Sequence, residues 1–91
     1  MDERMITSFE TVDKFYTDLD AQRQMLKKHS DEFDEGQDAM VAVTQSDDVP
    51  QMKAEFEAVQ SVLRDIFTNV DQILERTDIL RRGIKARMSI Q

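Results

Sequence analysis

The chain has 91 residues, of which 34% are charged and 40% hydrophobic, and its formal net charge is −7. This length allows one domain (1–91) with a small core, because a short chain buries only about 60% of its unfolded surface. Two glycines, one proline and no cysteine exclude a collagen, a disulfide scaffold and a cysteine-bound zinc site, and they favour long helices.

The sequence carries no pattern that directs a protein into a membrane. Residues 1–4 (MDER) lack the basic and then apolar layout of a secretory signal, and no run of about 18 apolar residues occurs. We therefore predict an unprocessed chain without membrane insertion. The lack of cysteine favours the cytoplasm, with the nucleus as the alternative compartment.

One concentrated turn signal, TQSDDVP at 44–50, divides the chain into two arms. Ser and Asp cap helices, and Pro50 fits a first helical turn but would break a helix interior. We predict an all-α fold with a helix at about 2–44, a turn at about 45–48 and a helix at about 49–90. Arms of equal length indicate a long antiparallel hairpin.

The first arm has alternating spacings of 4 and 3, which is the a/d pattern of a coiled coil. The residues at these positions are Met5, Phe9, Val12, Tyr16, Leu19, Arg23, Leu26, Ser30, Phe33, Gln37, Met40 and Thr44. One column of this seam stays apolar. The other column becomes polar after Tyr16.

The second arm repeats the spacing, and the seam that it predicts is apolar except at Thr77. Its predicted seam consists of Met52, Phe56, Val59, Leu63, Ile66, Val70, Ile73, Thr77, Leu80 and Ile84, with Val62, Phe67, Leu74 and Met88 beside it. In a hairpin that turns near residue 46, two residues lie opposite each other when their numbers total about 93. Ser30 is therefore expected near Leu63, and Gln37 near Phe56. The second arm therefore offers more apolar surface than the first arm covers.

We accordingly predict that the hairpin completes a multi-helix bundle as a homo- or hetero-oligomer, since two helices alone enclose no core. A compact three-helix monomer, broken between His29 and Gly36, is the alternative. The predicted partner interface consists of Phe9, Val12, Tyr16, Leu19, Phe56, Leu63, Ile66, Phe67, Val70, Ile73 and Leu74.

No residue pattern predicts catalysis, a cofactor or a metal. The acidic run at 31–38 places Phe33 third and Ala42 twelfth, where a calcium loop needs oxygen ligands. His29 is the only histidine and has no cysteine to pair with. Residues 76–87 hold five basic residues and one acidic residue but no aromatic one, which favours pairing within the hairpin. The alternatives for this segment are an acidic partner protein and a lipid or nucleic-acid contact.

Two stretches of the chain resemble the small coiled-coil subunits of the biogenesis of lysosome-related organelles complex, in particular the cappuccino-like ones. Residues 67–73 (FTNVDQI), followed by 82–84 (RGI) and 87–88 (RM), are similar to the last helix of those subunits. Residues 12–15 (VDKF) and 19–20 (LD) are similar to their first helix. The resemblance covers about half of the chain and implies a subunit of a multi-protein scaffold.

Two other hairpin families share features with the chain. A small synaptonemal-complex central-element protein resembles it in length and in the turn region 40–52, and type III secretion needle subunits resemble it in the proline-led segment 50–60. Heptads and resemblances together predict a non-enzymatic scaffold or assembly subunit that binds partner helices. The alternatives are a small regulatory or chaperone-like binder with a Met-rich groove, and a hairpin subunit of a filament or needle.

Overall fold

The computed structural model describes residues 2–90, which form an antiparallel helical hairpin. Helix α1 spans Glu3–Val43 and helix α2 spans Val49–Ile90, and no strand occurs within residues 2–90. The hairpin measures 68 × 16 × 14 Å. The predicted all-α hairpin is confirmed, and each helix begins and ends within one residue of the predicted bounds.

The ends of the helices are capped by residues of the kinds that the sequence suggested. The Asp2 carboxylate accepts a hydrogen bond from the backbone N–H of Arg4 at 3.0 Å, which satisfies one free donor at the start of α1. In the turn, the Ser46 hydroxyl accepts from the backbone N–H of Asp48 at 3.2 Å. Pro50 is the second residue of α2, where its missing N–H costs nothing. These local bonds set where each helix begins.

Helix α1 continues without a break through the segment 29–36, so the alternative of a three-helix monomer is wrong. Gly36 lies in this helix with an ordinary helical backbone and no positive φ. It is exposed, and a Cβ atom added there would meet nothing within 4 Å. The helix therefore tolerates this glycine and does not require it.

Gly36→Ala is expected to raise the free energy of unfolding by about 1 kcal/mol, because alanine loses less backbone entropy on entering a helix. Urea unfolding followed by circular dichroism measures this change. The reverse substitution at a nearby exposed site, Ala39→Gly, should lower the free energy by a similar amount. Equal unfolding midpoints for all three proteins would show that the helix is not intact at these positions.

Three hydrogen-bonded side-chain pairs define the register of α1 against α2. They are Asp13 with Arg81, Arg23 with Asp71 and Asp34 with Gln60. The residue numbers in each pair total 94, one more than the predicted total. As predicted, Ser30 lies near Leu63 and Gln37 near Phe56, each pair lining one groove of the hairpin.

Helix α2 is rotated relative to the predicted seam. Four residues predicted to face α1 are 39–49% exposed, namely Val59, Ile66, Ile73 and Leu80. The residues that follow each of them, Gln60, Phe67, Leu74 and Arg81, are half-buried or buried. The rotation brings Phe67 and Leu74 against α1 and lets Gln60 and Arg81 bond to its carboxylates, so it satisfies apolar and polar groups together.

Candidate partner interface

The contact between α1 and α2 forms only a thin core. Within residues 2–90, Leu74 (9% exposed) and Ile84 (8% exposed) are the buried residues, and the other inward-facing side chains are half-buried. This follows from the architecture, because each helix has one neighbour and its remaining surface faces solvent. The apolar surface left over is the candidate interface.

The predicted interface residues divide into two groups. Nine of the eleven are half-buried or buried between the two helices of the chain itself, and these are Phe9, Val12, Tyr16, Leu19, Phe56, Leu63, Phe67, Val70 and Leu74. The other two, Ile66 and Ile73, are exposed. The first group therefore holds the hairpin closed, and the second group is available to a partner.

Ile66 and Ile73 belong to a longer apolar row on α2, which we call the apolar stripe: Val59, Ile66, Ile73 and Leu80. These residues are spaced by seven, so they lie in one line along the helix. Val62 extends the stripe on its outer side and is also exposed. A straight row of exposed aliphatic side chains at heptad spacing is typical of a helix that packs against a second neighbour.

Helix α1 contributes less to this side of the hairpin. Ser8 lies in the same groove as Leu80, and Phe15, one heptad after Ser8, is also exposed. The next residues at heptad spacing are Gln22, His29 and Gly36, which are polar or lack a side chain. The apolar surface on this side therefore belongs mainly to α2.

The opposite side of the hairpin is charged. Arg81 donates to Asp13 at 3.0 Å and to Asp78 at 2.7 Å, and its guanidinium lies 3.9 Å from the centre of the Tyr16 ring. Arg82 also bonds to Asp78, at 3.0 Å. Part of the basic segment predicted to pair within the hairpin does so through this cluster.

A second polar cluster lies nearer the middle of the hairpin. Arg23 donates to both carboxylate oxygens of Asp71, the longer bond being 3.2 Å, and its guanidinium lies 5.5 Å from the centre of the Phe67 ring. Farther along, the amide of Gln60 donates to Asp34 at 2.9 Å. Asp71 lies on the flank of α2 opposite the apolar stripe, so the two sides of the hairpin differ in chemistry.

Hydrogen bonds in these clusters shift the pKa values of Arg23, Asp71 and Arg81. The hydrogen bond from Arg23 lowers the pKa of the Asp71 carboxyl, and the same bond raises the pKa of Arg23. Hydrogen bonds to Asp78 and then to Asp13 raise the pKa of Arg81. The charged forms of these groups are therefore favoured in the folded hairpin.

Because the pKa of Asp71 is lowered on folding from its ordinary value of 3.8, its carboxylate stabilises the folded state above that pH. This contribution is lost as the pH falls through the lowered pKa. The melting temperature of the Asp71→Asn variant should thus lie below that of the unchanged protein at neutral pH, and the gap should narrow below about pH 4. Asp65 is an exposed aspartate of the same helix, so the Asp65→Asn variant is the control. Its melting temperature measures the part of the difference that comes from the change in net charge alone. A gap of constant size from neutral to acidic pH would contradict the prediction.

Near the turn, aromatic packing replaces ion pairing. Phe33 and Phe56 meet edge to face, with ring centres 5.5 Å apart and planes at 80°. The side-chain oxygen of Gln37 is buried beside them without a hydrogen-bond partner. The polar residues of the predicted first-arm seam therefore differ in their bonding. Arg23 forms hydrogen bonds with Asp71, whereas the side-chain oxygen of Gln37 has no hydrogen-bond donor among residues 2–90.

Sequence reasoning missed the inward roles of Gln60 and Arg81. Both are polar and follow residues of the apolar stripe, so the heptad pattern favoured those aliphatic residues for the seam. The signal that could have identified them is the row of acidic residues on α1 at positions 13, 20 and 34, which are spaced by multiples of seven and lie beside the seam. Carboxylates in such a row are expected to accept hydrogen bonds from side-chain donors on the facing helix.

Neither a metal-binding cluster nor a membrane-spanning stretch is found within residues 2–90. No group of three or more His, Asp or Glu residues there is placed to hold a metal ion. Neither helix, as far as its described residues go, has a stretch long and apolar enough to cross a membrane. No family model, curated protein or solved structure matches the chain.

Proposed function

We propose that this chain is a non-enzymatic assembly subunit of the cytoplasm, whose hairpin contributes two helices to a bundle with other helices. The observation that carries the proposal is the apolar stripe, four aliphatic residues in line that the hairpin leaves exposed. Burial of such side chains is the main favourable term when helices associate in water.

The thin core supports the same conclusion. A hairpin with two buried residues gains little from its own packing, and a further helix laid along α2 would deepen the core around Leu74 and Ile84. Partner binding would then also stabilise the fold, because a ligand that binds only the folded state shifts the folding equilibrium towards it. The subunit would be most stable within its assembly.

The two-sided chemistry of the hairpin suggests how the assembly is oriented. The side with Arg81, Asp13 and Asp78 already satisfies its charges and remains compatible with water. Burying it would desolvate these ions at a cost. The apolar stripe therefore faces the partner, and the charged side faces solvent.

The resemblance to subunits of the biogenesis of lysosome-related organelles complex supports the same class of function. One of the similar segments, 67–73, ends at Ile73 of the apolar stripe. In this role the chain holds other proteins in a fixed relation by helix packing, and no chemical step is involved.

Site-specific photocrosslinking in the cells that make the protein tests this proposal. A benzophenone side chain in place of Ile73 should give crosslinked species larger than the single chain. The same group in place of Gln72, an exposed residue that points away from the stripe, should give few or none. If position 73 yields no more crosslinked product than position 72, the assembly function is wrong.

A further inference from the structure

The apolar stripe has a symmetry that bears on what covers it. Its midpoint lies between Asn69 and Val70, and the midpoint of helix α2 (Val49–Ile90) lies at the same place. A second copy turned about a two-fold axis at this point would place Val59 opposite Leu80 and Ile66 opposite Ile73. The whole stripe would then be covered while the two hairpins overlap along their full length.

The charge distribution along the rod favours this antiparallel arrangement. The turn end of the hairpin, residues 31–58, carries nine acidic residues and one basic residue. At the open end, residues 2–18 and 76–90 together carry seven basic and six acidic residues. Two parallel copies would bring the acidic turn ends together, whereas antiparallel copies place each acidic turn end beside the nearly neutral open end of the other.

The geometry points to a second copy of this chain as the occupant of the apolar stripe, with α2 packed antiparallel against α2 about a two-fold axis near Asn69. This inference rests on the proposed assembly function and names the partner. The product is a symmetric four-helix bundle in which one surface patch meets its own copy.

The size of the contact is sufficient for a stable pair. A contact about 10 Å wide, the width of one helix, along the 68 Å rod covers roughly 700 Å² on each copy. Stable interfaces bury about 600–1,000 Å² on each partner, so this contact lies in the lower part of that range. The outer residue Val62 and the exposed Phe15 of α1 add apolar area on the same side.

Light scattering on the purified chain after size-exclusion chromatography tests the pairing. At micromolar concentration the measured mass should be about twice the 10.6 kDa of the chain. Ile73→Asp should raise the dissociation constant by about 100-fold or more, because it places a carboxylate in a contact that excludes water. Circular dichroism should show that this variant remains helical, since Ile73 is exposed in the single hairpin.

Ile79→Asp is the matched control. Ile79 is an isoleucine of the same helix, is 56% exposed and lies about 100° around the helix from Leu80, on the face opposite α1. Its replacement should leave the mass at the value for two chains. A single-chain mass for the unchanged protein up to millimolar concentration, or equal loss of pairing in both variants, would overturn the inference.

Engineered cysteines test the direction of pairing, since the natural chain contains none. Under oxidation by glutathione disulfide, Asn69→Cys should link two copies rapidly, because position 69 lies beside the two-fold axis. Leu80→Cys should link slowly, because each copy of position 80 faces position 59 of the other. Linkage through position 80 as fast as through position 69 would show parallel copies and overturn the antiparallel arrangement.

These experiments separate the inference from the function on which it rests. If position 73 crosslinks in cells to a different protein while the purified chain stays single, the second copy is the wrong occupant and the assembly function stands. If position 73 crosslinks to nothing and the purified chain stays single, both are wrong.

Discussion

Replacing Leu74 by Ala is expected to lower the free energy of unfolding by about 3 kcal/mol, which is a large loss for a single truncation. Leu74 is one of two buried residues among the 89 that the structure describes, and it lies on the face of α2 that packs against α1. Removing its side chain takes away buried methyl groups and leaves a gap that two straight helices close poorly.

The effect should be visible without denaturant, because a domain of this size has a total stability of only about 5 kcal/mol or a little more. Circular dichroism at fixed protein concentration should show a lower melting temperature and reduced helix content at 37 °C. Ile79→Ala, which truncates an exposed aliphatic residue of the same helix, should change the stability by less than about 0.5 kcal/mol. Equal losses in the two variants would mean that Leu74 is not packed against α1.

Phe56→Ala should have a smaller effect, about 2 kcal/mol. Its ring is half-buried and meets Phe33 edge to face, so truncation removes both apolar burial and the aromatic contact. Urea unfolding of the single and double variants of Phe33 and Phe56 isolates the contact. We expect a coupling of about 1 kcal/mol between the two rings.

Val43→Ala is the control for this measurement, since Val43 is an 82% exposed apolar residue of α1 near the same turn. It should lower the stability by less than about 0.5 kcal/mol. If the effects of Phe33→Ala and Phe56→Ala simply add, the two rings do not meet in solution and the end near the turn is open.

The sequence predicts the hairpin well because its signals are local and agree with each other. Pro50, the cap-forming Ser46 and the near absence of glycine each act on the backbone within a few residues. The register also follows, since a turn of known place between two straight helices leaves one way to align them. For these reasons the observed register of α1 against α2 differs from the predicted register by only one residue.

The rotation of α2 could not be predicted in the same way. Its apolar residues cover more than one seam, so Ile73 and Leu74 fit the inward position equally well by spacing alone. The choice is made by residues far away in sequence, because only the observed rotation brings Arg81 to Asp13 and Gln60 to Asp34. A pattern read along one helix does not contain that information.

The three polar pairs between the helices also fix the position of α2 along α1. If α2 slid by one heptad in one direction, Arg23 would meet Arg64 and Asp13 would meet Leu74; in the other direction, Asp34 would meet Phe67. Each slip leaves at least one charge facing a like charge or an apolar side chain. The alignment is thus specified twice, by the place of the loop at 44–48 and by the polar pairs along the two helices.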